Sequence, residues 1–121
     1  MFMRLNKSLP VLSLFHAPSS QSSLSALRLL QSRNKNEIYN LDIVTEKPTK
    51  DQLRCIIEYT GCKPSEVVSG AKNLDEAMDL ISSNLEKLQR PITVDWNKGW
   101  AIIGNEQDKI NQLITGSSKE D

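Results

Sequence analysis

Apolar residues change their spacing several times along this chain, and each change marks an element. Pro10 to Phe15, PVLSLF, is a short apolar run closed by His-Ala-Pro, the pattern of a buried strand. From Ser22 the spacing turns helical: Leu24, Leu27 and Leu30 recur with Ala26, and the pattern fades at SRNKN. YNLDI then alternates Tyr39, Leu41 and Ile43 with Asn40 and Asp42, which predicts a half-buried strand.

KPTKDQLRCIIEYTG predicts a helix with both ends marked. Thr49 and Gln52 form a capping box, Leu53, Ile56 and Ile57 give the apolar face, and Gly61 stops it. A second capped helix opens at Asn73, with Glu76 three residues on and Leu74, Ala77, Met78, Ile81, Leu85 and Leu88 on its buried side. Between the two, Cys62 to Lys72 reads as a short turn or one loose helical turn. RPITVDWNKGWAIIGN predicts a β-hairpin whose turn carries Gly99. Asn105 is placed to cap a final amphipathic helix using Ile110, Leu113 and Ile114, and GSSKED has nothing to bury.

The resulting order is β-α-β-α-(α)-β-β-α. A β-α-β half followed by a β-β-α half gives an α/β fold of the thioredoxin type, a mixed four-stranded sheet flanked by helices. No internal repeat or boundary divides the 121 residues, enough for one core. The expected organisation is a basic segment at 1–9, one domain at 10–115 and a disordered tail at 116–121.

Fifteen basic and fifteen acidic residues cancel, so no net field recommends nucleic acid as a partner. The longest apolar runs are about five residues, where a membrane-spanning helix needs about 20. The charges are unevenly placed. Arg4, Lys7, Arg28, Arg33 and Lys35 precede the first acid, Glu37, in a stretch rich in serine. That is the composition of a mitochondrial transit segment, with residues 1–9 the removable part. It is equally the composition of an ordinary strand and helix, which the pattern from Val11 onward supports.

Cys55 and Cys62 lie seven apart with no CxxC, and His16 is the only histidine, so neither a zinc site nor a redox cysteine pair is spelled out. Cys55 falls beside the apolar stripe of its helix, as a half-buried structural thiol would. Cys62 follows Gly61 and precedes Lys63, where exposure and a neighbouring cation favour a reactive thiol. Trp96 and Trp100 flank the hairpin turn, so one suits the core and the other a contact surface.

The first strand–helix turn, FHAPSSQSS, packs four serines into five residues and holds no cysteine. A helix N-terminus attracts anions and gives a cysteine thiolate character. A serine hydroxyl gains nothing comparable; it caps the helix or hydrogen-bonds an anion. Ser20 and His16 have no acid in the loop to complete a triad and no G-x-S-x-G elbow.

LFHAPSSQSS resembles the active-site loop of glutaredoxin-coupled arsenate reductases and their regulatory relatives, an aromatic-His-Asn-Pro-x-Cys run followed by a helix. Phe15, His16 and Pro18 match in place, Ala17 replaces the Asn, and Ser20 stands at the cysteine position. EKPTKDQLRCIIEYTG and LQRPITVDWNKG also resemble that family, so the likeness runs from about Leu12 to Ile114. It implies that Pro91 is cis and faces the first helix, and that Arg90 binds an oxyanion. The family's further oxyanion arginines have no match, since WAIIGN offers Ile103 or Gly104 near that point. SLF, DQL, VDW and GNE in order also resemble the fungal family of "putative mitochondrial redox proteins". That resemblance implies a mitochondrial location and reduction of small molecules. Some members carry a cysteine before the third strand, where this chain has LISSN.

Three functions follow as expectations. One is a thiol oxidoreductase working through Cys62, with Cys55 the other thiol and a small molecule or glutathione as partner. Another is a catalytically silent module binding an anion or peptide through His16, Ser20, Arg90 and Pro91. The third is an assembly domain using the tryptophan hairpin. None calls for a metal or cofactor.

Overall fold

The computed structural model describes residues 9–118. The candidate transit segment therefore lies, apart from Leu9, outside the described residues, as does the end of the chain from residue 119. Along the chain run β1 (Val11–Phe15), α1 (Gln21–Ser32), β2 (Asn40–Val44), α2 (Lys50–Thr60), α3 (Pro64–Val67) and α4 (Leu74–Ser83). A 3-10 turn at Leu85–Lys87, β3 (Ile92–Asp95), β4 (Trp100–Ile103) and α5 (Gln107–Ser118) complete it.

The sheet order is β2-β1-β3-β4, with β1 and β2 parallel and the other two pairings antiparallel. The α1 crossover makes the parallel pair, because parallel strands cannot be joined by a tight turn. Side chains of β1 alternate between two cores. Leu12 and Leu14 pack with Ala26 and Leu30 of α1, Tyr39, and Ile110, Leu113 and Ile114 of α5. Phe15 packs on the opposite face with Leu53 and Ile56 of α2, Ala77 and Ile81 of α4, Val67, Val68, Ile92 and Val94. This is the α/β/α arrangement that the order of elements predicts.

Local chemistry sets the ends of α2. Thr49 Oγ1 accepts from the Gln52 amide, Gln52 Oε1 accepts from the Thr49 amide, and Gly61 ends the helix at φ +70°. The segment after it holds the single turn α3, opened by Pro64.

Three expectations are corrected. The α4 helix stops at Ser83, so Leu85 and Leu88 are not on it. Asn84 is extended, its amide donates to Leu80 O, and its side chain accepts from the Glu86 amide to start the 3-10 turn. Leu88 is buried instead through a bridge to Val68. Asn105 does not cap α5, which begins at Gln107 with Ile110 N donating to Glu106 O. Finally, α5 continues past Thr115 to Ser118. Gly116 permits this packing: a Cβ there would stand 3.0 Å from the Trp100 ring.

Candidate functional site

The β1–α1 turn is built around serines. Ser20 is the N-cap of α1, and its Oγ accepts from the Ser23 amide at 3.2 Å. Ser23 is fully buried, in line with Ala26 and Leu30. Its Oγ accepts from the Ala17 amide at 2.9 Å and lies 2.6 Å from His16 Nδ1. Ser23 Oγ therefore serves both groups, with two lone pairs and one proton to share between the Ala17 amide and Nδ1. Burial pushes the His16 pKa below its ordinary 6.5, and the nearby Arg90 charge pushes it the same way. His16 is thus a satisfied residue at the strand end.

Arg90 comes from the segment just before β3, whose Ile92 pairs with Phe15 at the end of β1. The Arg90–Pro91 peptide is cis, in agreement with the arsenate-reductase likeness. The Arg90 side chain is only 7% exposed, and its bonds are long: Nη1 donates to His16 O at 3.4 Å and Nη2 to Leu85 O at 3.5 Å, with Glu86 Oε2 at 3.7 Å from Nη2. Nε is buried and has no partner among the described residues. A guanidinium taken out of water with one donor unused, against the His16 carbonyl of the turn that leads into α1, is an arrangement suited to a small oxyanion.

Sulfur is placed elsewhere. Cys62 lines an open groove with Thr60, Ala101, Ile102, Ile103 and Lys109. The Cys62 amide donates to Thr60 Oγ1 at 3.2 Å, which holds the turn after Gly61. Cys55 is half-buried one turn before Tyr59 on α2, and a hydrogen bond between them raises the Tyr59 pKa. Both cysteines are free. The structure therefore brings His16, Ser20 and Arg90 to one end of β1 and keeps Cys62 in a groove that shares no residue with them.

Trp96 and Trp100 separate as the hairpin predicts. Trp96 packs edge-on against Phe15 and Tyr59 and donates from Nε1 to Ser13 Oγ at 2.7 Å, whereas Trp100 is 46% exposed. Sequence reasoning did not single out Thr60 or Lys109, and it took Ser23 only as one of four turn serines able to cap the helix or hydrogen-bond an anion. For Ser23 a signal existed: it sits three residues before Ala26 and seven before Leu30, on the buried stripe, where a polar group needs a partner.

Among the described residues, no group of three or more His, Cys, Asp and Glu side chains is placed to hold a metal, and no helix is long and apolar enough to cross a membrane.

The fold is the thioredoxin-like one of the arsenate reductases, a mixed four-stranded sheet flanked by helices, with Ser20 capping α1 in its first strand–helix turn. The family is defined by sequence: residues 2–106 match the family described as "Protein of unknown function (DUF1687)", and the chain belongs to it. The chain is similar to the "Putative redox protein fmp46, mitochondrial" of Schizosaccharomyces pombe, at 32% identity over 62 residues, 50% of this chain and 51% of that protein. It thus spans about half the length of that relative. Among solved structures it resembles the "Putative arsenate reductase from Yersinia pestis", with a TM-score of 0.66 and 18% identity over 84% of this chain and 98% of the other. The "Arsenate reductase from Vibrio cholerae" gives a TM-score of 0.64 and 15% identity over 87% and 98%. At such identities the likeness establishes the shared fold.

Proposed function

We propose that this chain is a thioredoxin-fold redox protein of the mitochondrion whose thiol chemistry resides at Cys62 instead of the β1–α1 turn. The name of the fission-yeast relative supports the redox role and the location. The observation that carries the choice of residue is the contrast between two sites. Ser20 is committed to capping α1, whereas Cys62 opens onto a groove beside Lys109. The substrate class is a small disulfide such as oxidised glutathione. The Cys62 thiolate attacks one sulfur, the S–S bond breaks, one glutathione leaves as thiolate, and Cys62 holds the other as a mixed disulfide. A different thiol, RSH, then attacks the glutathione sulfur of that mixed disulfide as its thiolate, forms R–S–S–G and returns Cys62 as thiolate, so the net change is transfer of one glutathionyl group from oxidised glutathione to RSH. Cys55, packed beside Tyr59, is a bystander. Intact-mass analysis after incubation with oxidised glutathione should show one adduct, kept in Cys55→Ser and lost in Cys62→Ser. Formation no faster than on an unstructured cysteine peptide would remove this reading.

A second reading, anion binding at the α1 N-terminus, is favoured by the buried, unused Nε of Arg90. Sulfate or phosphate should raise the melting temperature of the native chain and leave that of Arg90→Met unchanged. An equal rise in both would count against it.

A further inference from the structure

The hydrogen bond from Gly104 N to Pro91 O, 2.8 Å, fixes the phase of the β3–β4 ladder. Gly104 and Pro91 follow the Ile103–Ile92 pair, and bonded and non-bonded pairs alternate in an antiparallel ladder. Ile102 and Trp100 therefore turn their backbone groups toward β3. Ala101 and Ile103 turn theirs to the open edge, where neither has a partner among the described residues.

Edge strands are usually protected by charge, proline or a bulge. The other edge, β2, has Asp42 at its centre. The β4 sequence WAII has no charge and no proline, and Trp100 stands 46% exposed at its start. The groove beside it contains Cys62 and Ala101 from the α2 side and Ile102 and Lys109 from the α5 side, so it spans the edge itself.

We propose that β4 pairs antiparallel with β4 of a second copy of this chain about a two-fold axis at Ile102. In that register Ala101 of each copy faces Ile103 of the other, and all four outward amides and carbonyls are satisfied in pairs. No other two-fold register satisfies both residues of each copy. Trp100 then lies opposite Gly104, which has no side chain to oppose it. Lys109, in the first turn of α5, lines the groove with Ile102 and pairs with Glu106 at 2.9 Å, so each copy brings both signs of charge beside the edge. Cys62 packs on the sheet face of Ala101 and Ile103, and the two-fold preserves faces. The two Cys62 grooves consequently meet on one side as a shared dithiol site, a step that rests on the proposed Cys62 chemistry. One oxidised glutathione completes it. The first Cys62 thiolate displaces one glutathione, and the partner copy's Cys62 thiolate displaces the second. Two electrons and two protons pass from the cysteines to two glutathione thiols.

Sedimentation of the native chain over a range of concentrations should show the mass doubling as concentration rises. Amide exchange at Ala101 and Ile103 should slow with dimerisation, while Ile102 stays protected throughout. At concentrations where the dimer prevails, oxidised glutathione should give a disulfide-linked dimer in place of the single adduct seen on the dilute chain, and Cys62→Ser should abolish it without abolishing the non-covalent dimer. A monomer at every concentration overturns the pairing, and so does a dimer whose Ala101 and Ile103 amides stay fast. A dimer that yields only glutathione adducts overturns the shared dithiol, while loss of those adducts as well points to failure of the Cys62 reading itself. Ala101→Pro, which removes one outward N–H and no bond to β3, should remain monomeric with an unchanged circular dichroism spectrum.

Discussion

The Oγ of Ser23 lies 2.6 Å from Nδ1 of His16, and the same oxygen takes the Ala17 amide proton at 2.9 Å. One buried hydroxyl therefore joins the first turn of α1 to the end of β1. Replacing it by Ser23→Ala leaves the Ala17 amide and Nδ1 without their partner. The expected loss is about 1–3 kcal/mol, the cost of orphaning buried polar groups, read by urea unfolding. A loss below a few tenths would show that water enters the turn and replaces the serine.

The pH response of this turn follows from the lowered pKa of His16. Between the folded value and the ordinary 6.5, the unfolded chain binds more protons than the folded one, so stability rises with pH across that window. The contribution is fully present above 6.5 and is lost as pH falls from there through the folded value. Nitrogen-15 shifts of the ring should report a neutral imidazole at neutral pH and show whether Ser23 donates to Nδ1 or accepts from it. Arg90→Met should move the titration upward, because it removes a charge that opposes protonation. An unchanged midpoint would leave burial as the whole cause.

Ser20→Cys tests what the scaffold retains. A thiol at the N-cap of α1 meets the positive end of the helix dipole, with Arg90 close behind His16. Alkylation should titrate with an apparent pKa below the free value of about 8.5. A value at or above that would mean the turn does not stabilise a thiolate.

Thr93 presents the opposite case to Ser23. Its hydroxyl is fully buried in β3 and has no hydrogen-bond partner among the described residues. Thr93→Val keeps the shape and removes the unsatisfied oxygen, so a gain of about 1 kcal/mol is expected in thermal or urea unfolding. Destabilisation would indicate a bound water serving that oxygen.

The parts of this fold legible in the sequence are those decided by neighbours along the chain. Thr49, Gln52 and Gly61 bound α2 through contacts of three or four residues' span, and the hairpin around Gly99 is equally local. The break at Asn84 was not legible. Leu85 and Leu88 continue the apolar spacing of α4, and only the bridge from Val68 to Leu88 shows why the chain leaves the helix there. The same limit applies to the candidate sites. The serine in the cysteine position can be read off FHAPSSQSS, but the burial of Arg90 depends on how the segment before β3 packs. The meeting of Cys62 with β4 depends on where α2 ends above the sheet, a distance no local pattern encodes.

The sheet runs between two apolar clusters, one lined by α1 and α5 and the other by α2 and α4. Damage on one side is therefore insulated from damage on the other by a layer of hydrogen-bonded backbone. A Leu30→Ala, Ile56→Ala double mutant should lose the sum of the two single losses, whereas Leu30→Ala with Leu113→Ala, sharing one compartment, should not. Evolution can thus remodel the helices beside one face without renegotiating the other.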